Sequence, residues 1–416
     1  MDSRRFSRRE FLKRGAMIGA GVTAAAVLGW QVWRWLLAPP SFPPKVGGDE
    51  RGGEEALEAT PTTAGRAVPL HEADYYSILT GETIQCHLCF RECAVGEGGR
   101  GFCRNRQNIN GRYYSLVYNH PSALQIDPIE KEPSFHMLPG GTIFCTGTAS
   151  CNNRCKHCHN WHLSQHSLEE LNAYAETHTP QEIVAAALRR NCDAVSFTYN
   201  EPTVFYEYMF DVARLAKESG LKALFHTNGS INPEPLSALL EVMDAVTVDL
   251  KAFTEDFYQT VSLSALWPVL RTLENIHQAG KHLEIVNLVI PTFNDDLEEI
   301  RRMCRWILEN LGDEVPLHFT RFSPAYQMTR LLPTPIETLE AALAVADAEG
   351  LQYVYIGNVP GHERNSTFCP GCGKRIIHRV HFSVLALDVD GDQCHFCGRR
   401  IPGVWWPAEE GATEEG

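Results

Sequence analysis

Residues 142–356 predict an α/β protein built as a partial TIM-type (β/α) barrel, flanked by small cysteine-rich metal-binding modules. Three observations carry this expectation. Short apolar runs alternate with helical stripes, the units repeat about every 30 residues, and most of the 14 cysteines stand in tight clusters before, at the start of and after the repeat. The opening strand falls at 142–146. Helix 180–191, with a stripe of Ile183, Val184, Ala187 and Leu188, then precedes strand 194–198. The same pairing recurs at 204–219 and 222–226, 233–243 and 245–249, 267–279 and 283–290, 297–311 and 316–319, and 337–349 and 352–356. Six or seven βα units imply a parallel sheet. A doubly wound open sheet is the alternative, and either fold places its chemistry at the carboxyl ends of the strands.

Composition narrows the function. The chain has 416 residues, 44% hydrophobic and 21% charged, which argues against disorder and against a polytopic membrane protein. With 37 Lys+Arg against 51 Asp+Glu the formal net charge is -14, so nucleic acid is not expected as a partner. The expected organisation is an export signal or membrane anchor at 1–38, a disordered linker at 39–70 and an N-terminal cysteine-rich module at 71–140. The barrel core follows at 141–362, a zinc-ribbon-like module at 363–406 and an acidic tail at 407–416. In the first segment, Ser7-Arg8-Arg9-Glu10-Phe11-Leu12-Lys13 precedes an apolar run and resembles the twin-arginine signal. That resemblance implies an extracytoplasmic or membrane-anchored protein, carried folded with its cofactors in place; a cytoplasmic location is the alternative, and cleavage or retention of the segment is open.

The cysteines divide into four, three, four and three. Clusters of the CxxC kind in a long chain hold metal more often than disulfides. Cys369, Cys372, Cys394 and Cys397 form two CxxC knuckles that together close a tetrahedral Zn²⁺ site, with a disulfide pair or a redox dithiol as alternatives. Cys86, Cys89, Cys93 and Cys103 offer four thiolates for zinc or for a second iron–sulfur cluster. Cys151, Cys155 and Cys158 follow the first strand directly, one ligand short of a closed site, which is the pattern expected when a metal position stays open. A structural zinc site completed by His157, His159 or His162 is the competing reading. Cys145, Cys192 and Cys304 lie in strand or helix patterns as small buried residues.

The CxxxCxxC of Cys151, Cys155 and Cys158 resembles the cluster motif of the radical SAM (S-adenosylmethionine) superfamily. The resemblance implies that three thiolates hold a [4Fe-4S] cluster whose fourth iron is chelated by SAM. Reductive cleavage of SAM then yields a 5'-deoxyadenosyl radical that takes hydrogen from a substrate. Tyr199-Asn200-Glu201-Pro202 stands at the place of the family's Gly-Gly-Glu motif, so Glu201 is the expected acceptor for the SAM ammonium. His226-Thr227-Asn228-Gly229 and Asp249-Leu250-Lys251 resemble strand ends of pyruvate formate-lyase activating enzymes. By that match His157, Asn200, Thr227, Asn228, Asp249 and Lys251 are SAM neighbours, with Lys251 on the methionyl carboxylate. His226 departs from the family's Asp, and strand 283–290 offers no basic residue for SAM. Ile290-Pro291-Thr292-Phe293-Asn294-Asp295 resembles the family's Pro-x-x-Asn-Asp turn.

The wider order of motifs resembles one subgroup, the AmmeMemoRadiSam system radical SAM enzymes. Its carriers include Cys86-x-x-Cys89-x-x-x-Cys93, Asp127-Pro128-Ile129-Glu130-Lys131, Asn160-Trp161 and Ile401-Pro402-Gly403-Val404-Trp405. It implies an electron donor such as ferredoxin or flavodoxin, with Memo-like and AMMECR-type proteins as candidate partners or substrates. The alternatives are a glycyl-radical enzyme activating enzyme and a non-catalytic exported iron–sulfur or zinc binding module. His318, Arg321 and Tyr326, near the end of the sixth strand, fall in the region expected to face a substrate.

Overall fold

The computed structural model describes residues 70–173 and 176–406. The chain divides into a unit Met1–Ala59, outside the described residues, and a unit Thr60–Gly416 that contains everything below. The twin-arginine segment, the linker up to residue 69 and the acidic tail therefore lie outside the described residues. Among the described residues no helix is long and apolar enough to cross a membrane.

One eight-stranded sheet organises the protein. Its strands are β1 (Ala123–Pro128), β2 (Thr142–Gly147), β3 (Ala194–Phe197), β4 (Lys222–Thr227), β5 (Ala245–Asp249), β6 (His282–Val289), β7 (Leu317–Arg321) and β8 (Val354–Gly357). They lie side by side in chain order, β2 to β8 parallel and β1 antiparallel on the β2 edge. Sequential order without reversal is that of a partial (β/α) barrel; a doubly wound sheet reverses its order at a switch point. The parallel strands are apolar because both faces are covered: all four residues of β3 and of β8 are buried.

Between the strands run α1 (Pro180–Arg189), α2 (Tyr206–Glu218), α3 (Pro233–Val242), α4 (Trp267–Gln278), α5 (Leu297–Leu311) and α6 (Ile336–Glu349). Their starts follow local chemistry. Thr179 and Glu182 close a capping box on α1, and the Asp296 side chain accepts from the Glu298 and Glu299 amides at the start of α5.

The sheet begins earlier than residue 141. Segment 123–128 alternates only weakly and is partly exposed, as an antiparallel edge strand is, so its sequence carries no clear inward face. The preceding cysteine-rich module consists of two small antiparallel sheets, one of Tyr76–Thr80, Thr83–Cys86 and Ala94–Val95, the other of His71–Glu72, Arg106–Ile109 and Arg112–Ser115. It docks through a buried ion pair from Arg106 to Glu207 of α2, and through backbone bonds from Phe90 to Ser230 and from Asn232 to Leu88.

The opposite end of the barrel is plugged by the segment after β1 and by the C-terminal module, whose strands are Thr367–Phe368, Arg375–Val380 and Ser383–Leu387 with the pair Val389–Asp390 and Gln393–Cys394. Phe135, Tyr353, Tyr355, Ile376, Ile377 and Ile401 share one core there. Arg379 is fully buried across the seam. It lies over the Phe135 ring at 4.3 Å, donates to the Phe135 carbonyl at 2.6 Å and to Thr367 Oγ1 at 2.8 Å, and pairs with the equally buried Glu130 at 3.4 Å. Removing one partner of such a pair strands the other charge. Arg379→Ala should therefore lower the unfolding free energy by about 3–5 kcal/mol, read as a reduced midpoint in urea; an unchanged midpoint would show that the seam does not depend on this ion pair.

Candidate active site

The loop leaving β2 carries Cys151, Cys155 and Cys158 into the mouth of the barrel. Cys151 and Cys155 are buried and Cys158 is partly so. The loop is held from several sides. Asn200, after β3, accepts from the Thr148 amide at 3.0 Å and donates to the Ser150 carbonyl at 2.8 Å. Asn105 donates to the Ala149 carbonyl at 2.7 Å, while the Arg154 and Lys156 amides bond the Ser262 and Val261 carbonyls. The Asn153 amide approaches the Cys151 sulfur at 3.3 Å, and Ser164 Oγ lies 3.1 Å from that of Cys158. Burial pushes all three thiols up, Cys158 to about 11. As bare thiols they stay protonated near neutral pH, and a bound cation is what makes them thiolates.

Glu201 is buried at the end of β3. Its Oε1 accepts from the Thr203 amide at 3.1 Å, from Thr203 Oγ1 at 2.6 Å and from Thr227 Oγ1 at 2.8 Å; its Oε2 accepts from the Asn228 amide at 2.7 Å. Where the sequence suggests a receiver for the SAM ammonium, the structure has a carboxylate already engaged by four donors, strapping β3 to β4. Asn228 extends the strap, donating to Asn152 Oδ1 at 2.8 Å and lying 3.8 Å from the Cys151 sulfur.

Beyond it lies a charged trio. Asp249 sits 3.0 Å from His226 Nε2 and accepts from Lys251 Nζ at 2.7 Å. Burial opposes the charge on each, but Lys251 and His226 hold the Asp249 carboxyl well below the usual range, and Asp249 lifts both its partners. The turn after β6 fixes Lys251: Asn294 donates to its carbonyl at 2.6 Å and accepts from the Ile290 amide at 2.6 Å. His157 is buried, with its pKa pulled down to about 3 by burial and by Lys251, so the imidazole is neutral.

Several polar atoms around the thiols have no partner: His157 Nδ1, Asn152 Nδ2, both side-chain polar atoms of Asn153, and Ser150 Oγ. Orphaned polar atoms beside the three thiols fit a site that receives a polar group. The structure thus brings together Cys151, Cys155, Cys158, His157, Asn200, Glu201, Thr227, Asn228, Asp249 and Lys251 at one end of the barrel. The pairing of His226 with Asp249 could not be read from the sequence, where His226 counted only as a departure. His318 is not at this end: it is the second residue of β7, fully buried, bonded to Glu284 at 2.7 Å and stacked on Tyr355. Arg321 Nε is taken by the Thr334 carbonyl, and Tyr326 stacks on Trp161 with ring centroids 5.4 Å apart.

A second cysteine group lies in the C-terminal module. The sulfurs of Cys369, Cys372, Cys394 and Cys397 all fall within 4.8 Å of one another, with Cys369 to Cys397 at 3.6 Å and Cys372 to Cys394 at 3.9 Å. The two knuckles are alike: Gly373 and Gly398, both at positive φ, bond back to the Cys369 and Cys394 carbonyls. This is a small metal-binding module.

Comparison with known proteins follows the same lines. The sequence profile of the Radical SAM superfamily matches residues 146–306. An uncharacterised protein of Methanocaldococcus jannaschii is 45% identical over 334 residues, covering 80% of this chain and 99% of that protein. The pyruvate formate-lyase-activating enzyme of Clostridium pasteurianum is 27% identical over 173 residues, 39% of this chain and 67% of that enzyme. A solved domain of pyruvate-formate lyase-activating enzyme from Bacteroides vulgatus is 17% identical, covering 40% of this chain and 99% of that one at a TM-score of 0.36.

The His226–Asp249 contact has a pH signature. Because the folded imidazole titrates above its unfolded value, its stabilisation is complete below roughly pH 6.5 and fades as pH rises through the raised folded value. The stability gap between the parent chain and His226→Gln should therefore narrow with rising pH in urea titrations. A gap independent of pH would rule out a charged His226.

Proposed function

Because the chain belongs to the radical SAM superfamily, we propose that it is an enzyme that cleaves S-adenosylmethionine reductively at Cys151, Cys155 and Cys158 and abstracts hydrogen from a substrate. The observation that carries this is the trio of thiols, two buried and one half-buried, beside unpartnered polar atoms at the carboxyl ends of the strands. A [4Fe-4S] cluster held there with SAM supplies one-electron cleavage of the sulfonium and the radical that follows.

The protein's own residues do the remaining work. Glu201 and Asn228 hold the strand ends rigid against the loop, and Asn200 fixes the loop backbone. His157 presents a neutral flat ring, while Lys251, lodged between Asp249 and the thiols, offers a cation to a ligand carboxylate. Thr227 and Asp249 complete the wall. The Cys369, Cys372, Cys394 and Cys397 set is assigned to Zn²⁺, since Zn–S bonds of about 2.3 Å in a tetrahedron put the sulfurs about 3.8 Å apart, close to the spacings found here.

A second reading, glycyl-radical enzyme activation, is favoured by the pyruvate formate-lyase-activating enzymes among the relatives. Memo-like and AMMECR-type proteins are candidate partners or substrates, with a ferredoxin or flavodoxin as electron donor. The proposed location is extracytoplasmic or membrane-anchored by twin-arginine export, and replacing both Arg8 and Arg9 with Lys should then keep the protein in the cytoplasm; unchanged export would exclude that route.

The catalytic reading is tested by anaerobic reconstitution with iron and sulfide, then incubation with SAM and dithionite. 5'-Deoxyadenosine should form, and Cys155→Ser should lose it. A reconstituted chain that releases none would favour the non-catalytic module. A glycyl-radical EPR doublet on an added partner enzyme would select the second reading.

A further inference from the structure

Cys86, at the end of strand Thr83–Cys86, and Cys89, Cys93 and Cys103 in the loops that follow line one cavity, together with Arg91, Phe102, Arg106, Tyr113 and Asn152. None of the four is in a disulfide. The packing is specific to the sulfurs. The Phe102 amide approaches the Cys93 sulfur at 3.4 Å, and a side chain at Gly101 would come within 2.7 Å of Tyr113 Oη and 3.7 Å of that sulfur.

Spacing separates two kinds of occupant. A single ion binding four thiolates draws them to about 3.8 Å of one another, as the C-terminal knuckles are drawn. Among the described residues, that C-terminal group alone has three or more ligand atoms all within 4.8 Å. No three sulfurs of Cys86, Cys89, Cys93 and Cys103 lie all within 4.8 Å of one another, and the same holds for Cys151, Cys155 and Cys158. A polynuclear cluster seats each thiolate on a different iron and needs such wider spacing.

We infer that Cys86, Cys89, Cys93 and Cys103 hold a second, polynuclear iron–sulfur cluster, built against the loop that carries Cys151. The join between the two sites is direct. Arg91 Nε donates to the Asn152 carbonyl at 2.5 Å, and its guanidinium lies 3.5 Å from the Phe102 ring centroid. Arg154 also lies over that ring, 4.4 Å from its centroid, and donates to the Phe102 carbonyl at 2.8 Å. Phe102 thus meets one cation of each loop, and Asn152, next to Cys151, is part of the cavity wall.

This inference does not rest on SAM cleavage, and its test removes the central site. The full chain carrying Cys151→Ala, Cys155→Ala and Cys158→Ala is reconstituted anaerobically with ferrous iron and sulfide, and iron, acid-labile sulfide and zinc are counted. About four irons and four sulfides per chain should remain, with a visible charge-transfer band, and adding Cys86→Ala and Cys89→Ala should abolish both. No sulfide together with two zinc ions per chain would overturn the inference in favour of a mononuclear site. If the triple variant does not fold, the parent chain decides: about eight irons support two clusters, and about four irons overturn the second. Failure of the parent to cleave SAM while sulfide remains in the triple variant would count against the catalytic reading alone.

Discussion

The buried carboxylate of Glu201 is the hub of the barrel mouth. Sealing a charge into a protein interior is costly unless hydrogen bonds replace the lost water, and Glu201 meets that condition with donors from Thr203, Thr227 and Asn228. The demand fixes two strand ends at once. Asn228, held by its backbone to Glu201, turns its side chain to Asn152, and Asn152 receives Arg91 from the N-terminal module. A continuous line of polar contacts thus runs from the sheet to both cysteine clusters at this end. The loop that carries Cys151 is thereby tied to the sheet through Asn228 and Asn152.

At the other end the same logic works with a different pair. Arg379 and Glu130 are buried where the C-terminal module meets the segment after β1, and both ring nitrogens of the neighbouring His136 are engaged: Nδ1 donates to the Pro402 carbonyl and Nε2 lies 2.6 Å from Tyr355 Oη. Burial pulls the His136 pKa down to about 3, so this ring serves as a neutral connector. The barrel interior is therefore closed below and polar above, which confines chemistry to the upper face.

The parallel strands and their helices were legible in the sequence because burial on both faces leaves continuous apolar runs, as in Ala194–Phe197, and because helix caps such as Thr179 and Asp296 are local. The edge strand Ala123–Pro128 was not, since its half-exposed residues follow no strong alternation. Cysteine spacing marked the clusters, but residue type does not show which lone pairs are already used, so the strap that Glu201 makes to Thr227 and Asn228 could not be read from the sequence. His318 misled for a related reason. The expected strand 316–319 ends beside His318, whereas β7 runs on to Arg321 and leaves His318 near its amino end. Arg91 carried no signal beyond lying between Cys89 and Cys93, because its partners Asn152 and Phe102 are defined only by the folded chain.

Val404 hydrogen-bonds to both His136 and Leu138 beneath the barrel, more than 260 residues away along the chain. Contacts of such separation form late and slowly. During synthesis the floor of the barrel stays open until Val404 has emerged, while Cys151, Cys155 and Cys158 are made more than 240 residues earlier. The order of translation therefore leaves an interval in which inorganic cofactors can meet their thiols before the scaffold locks.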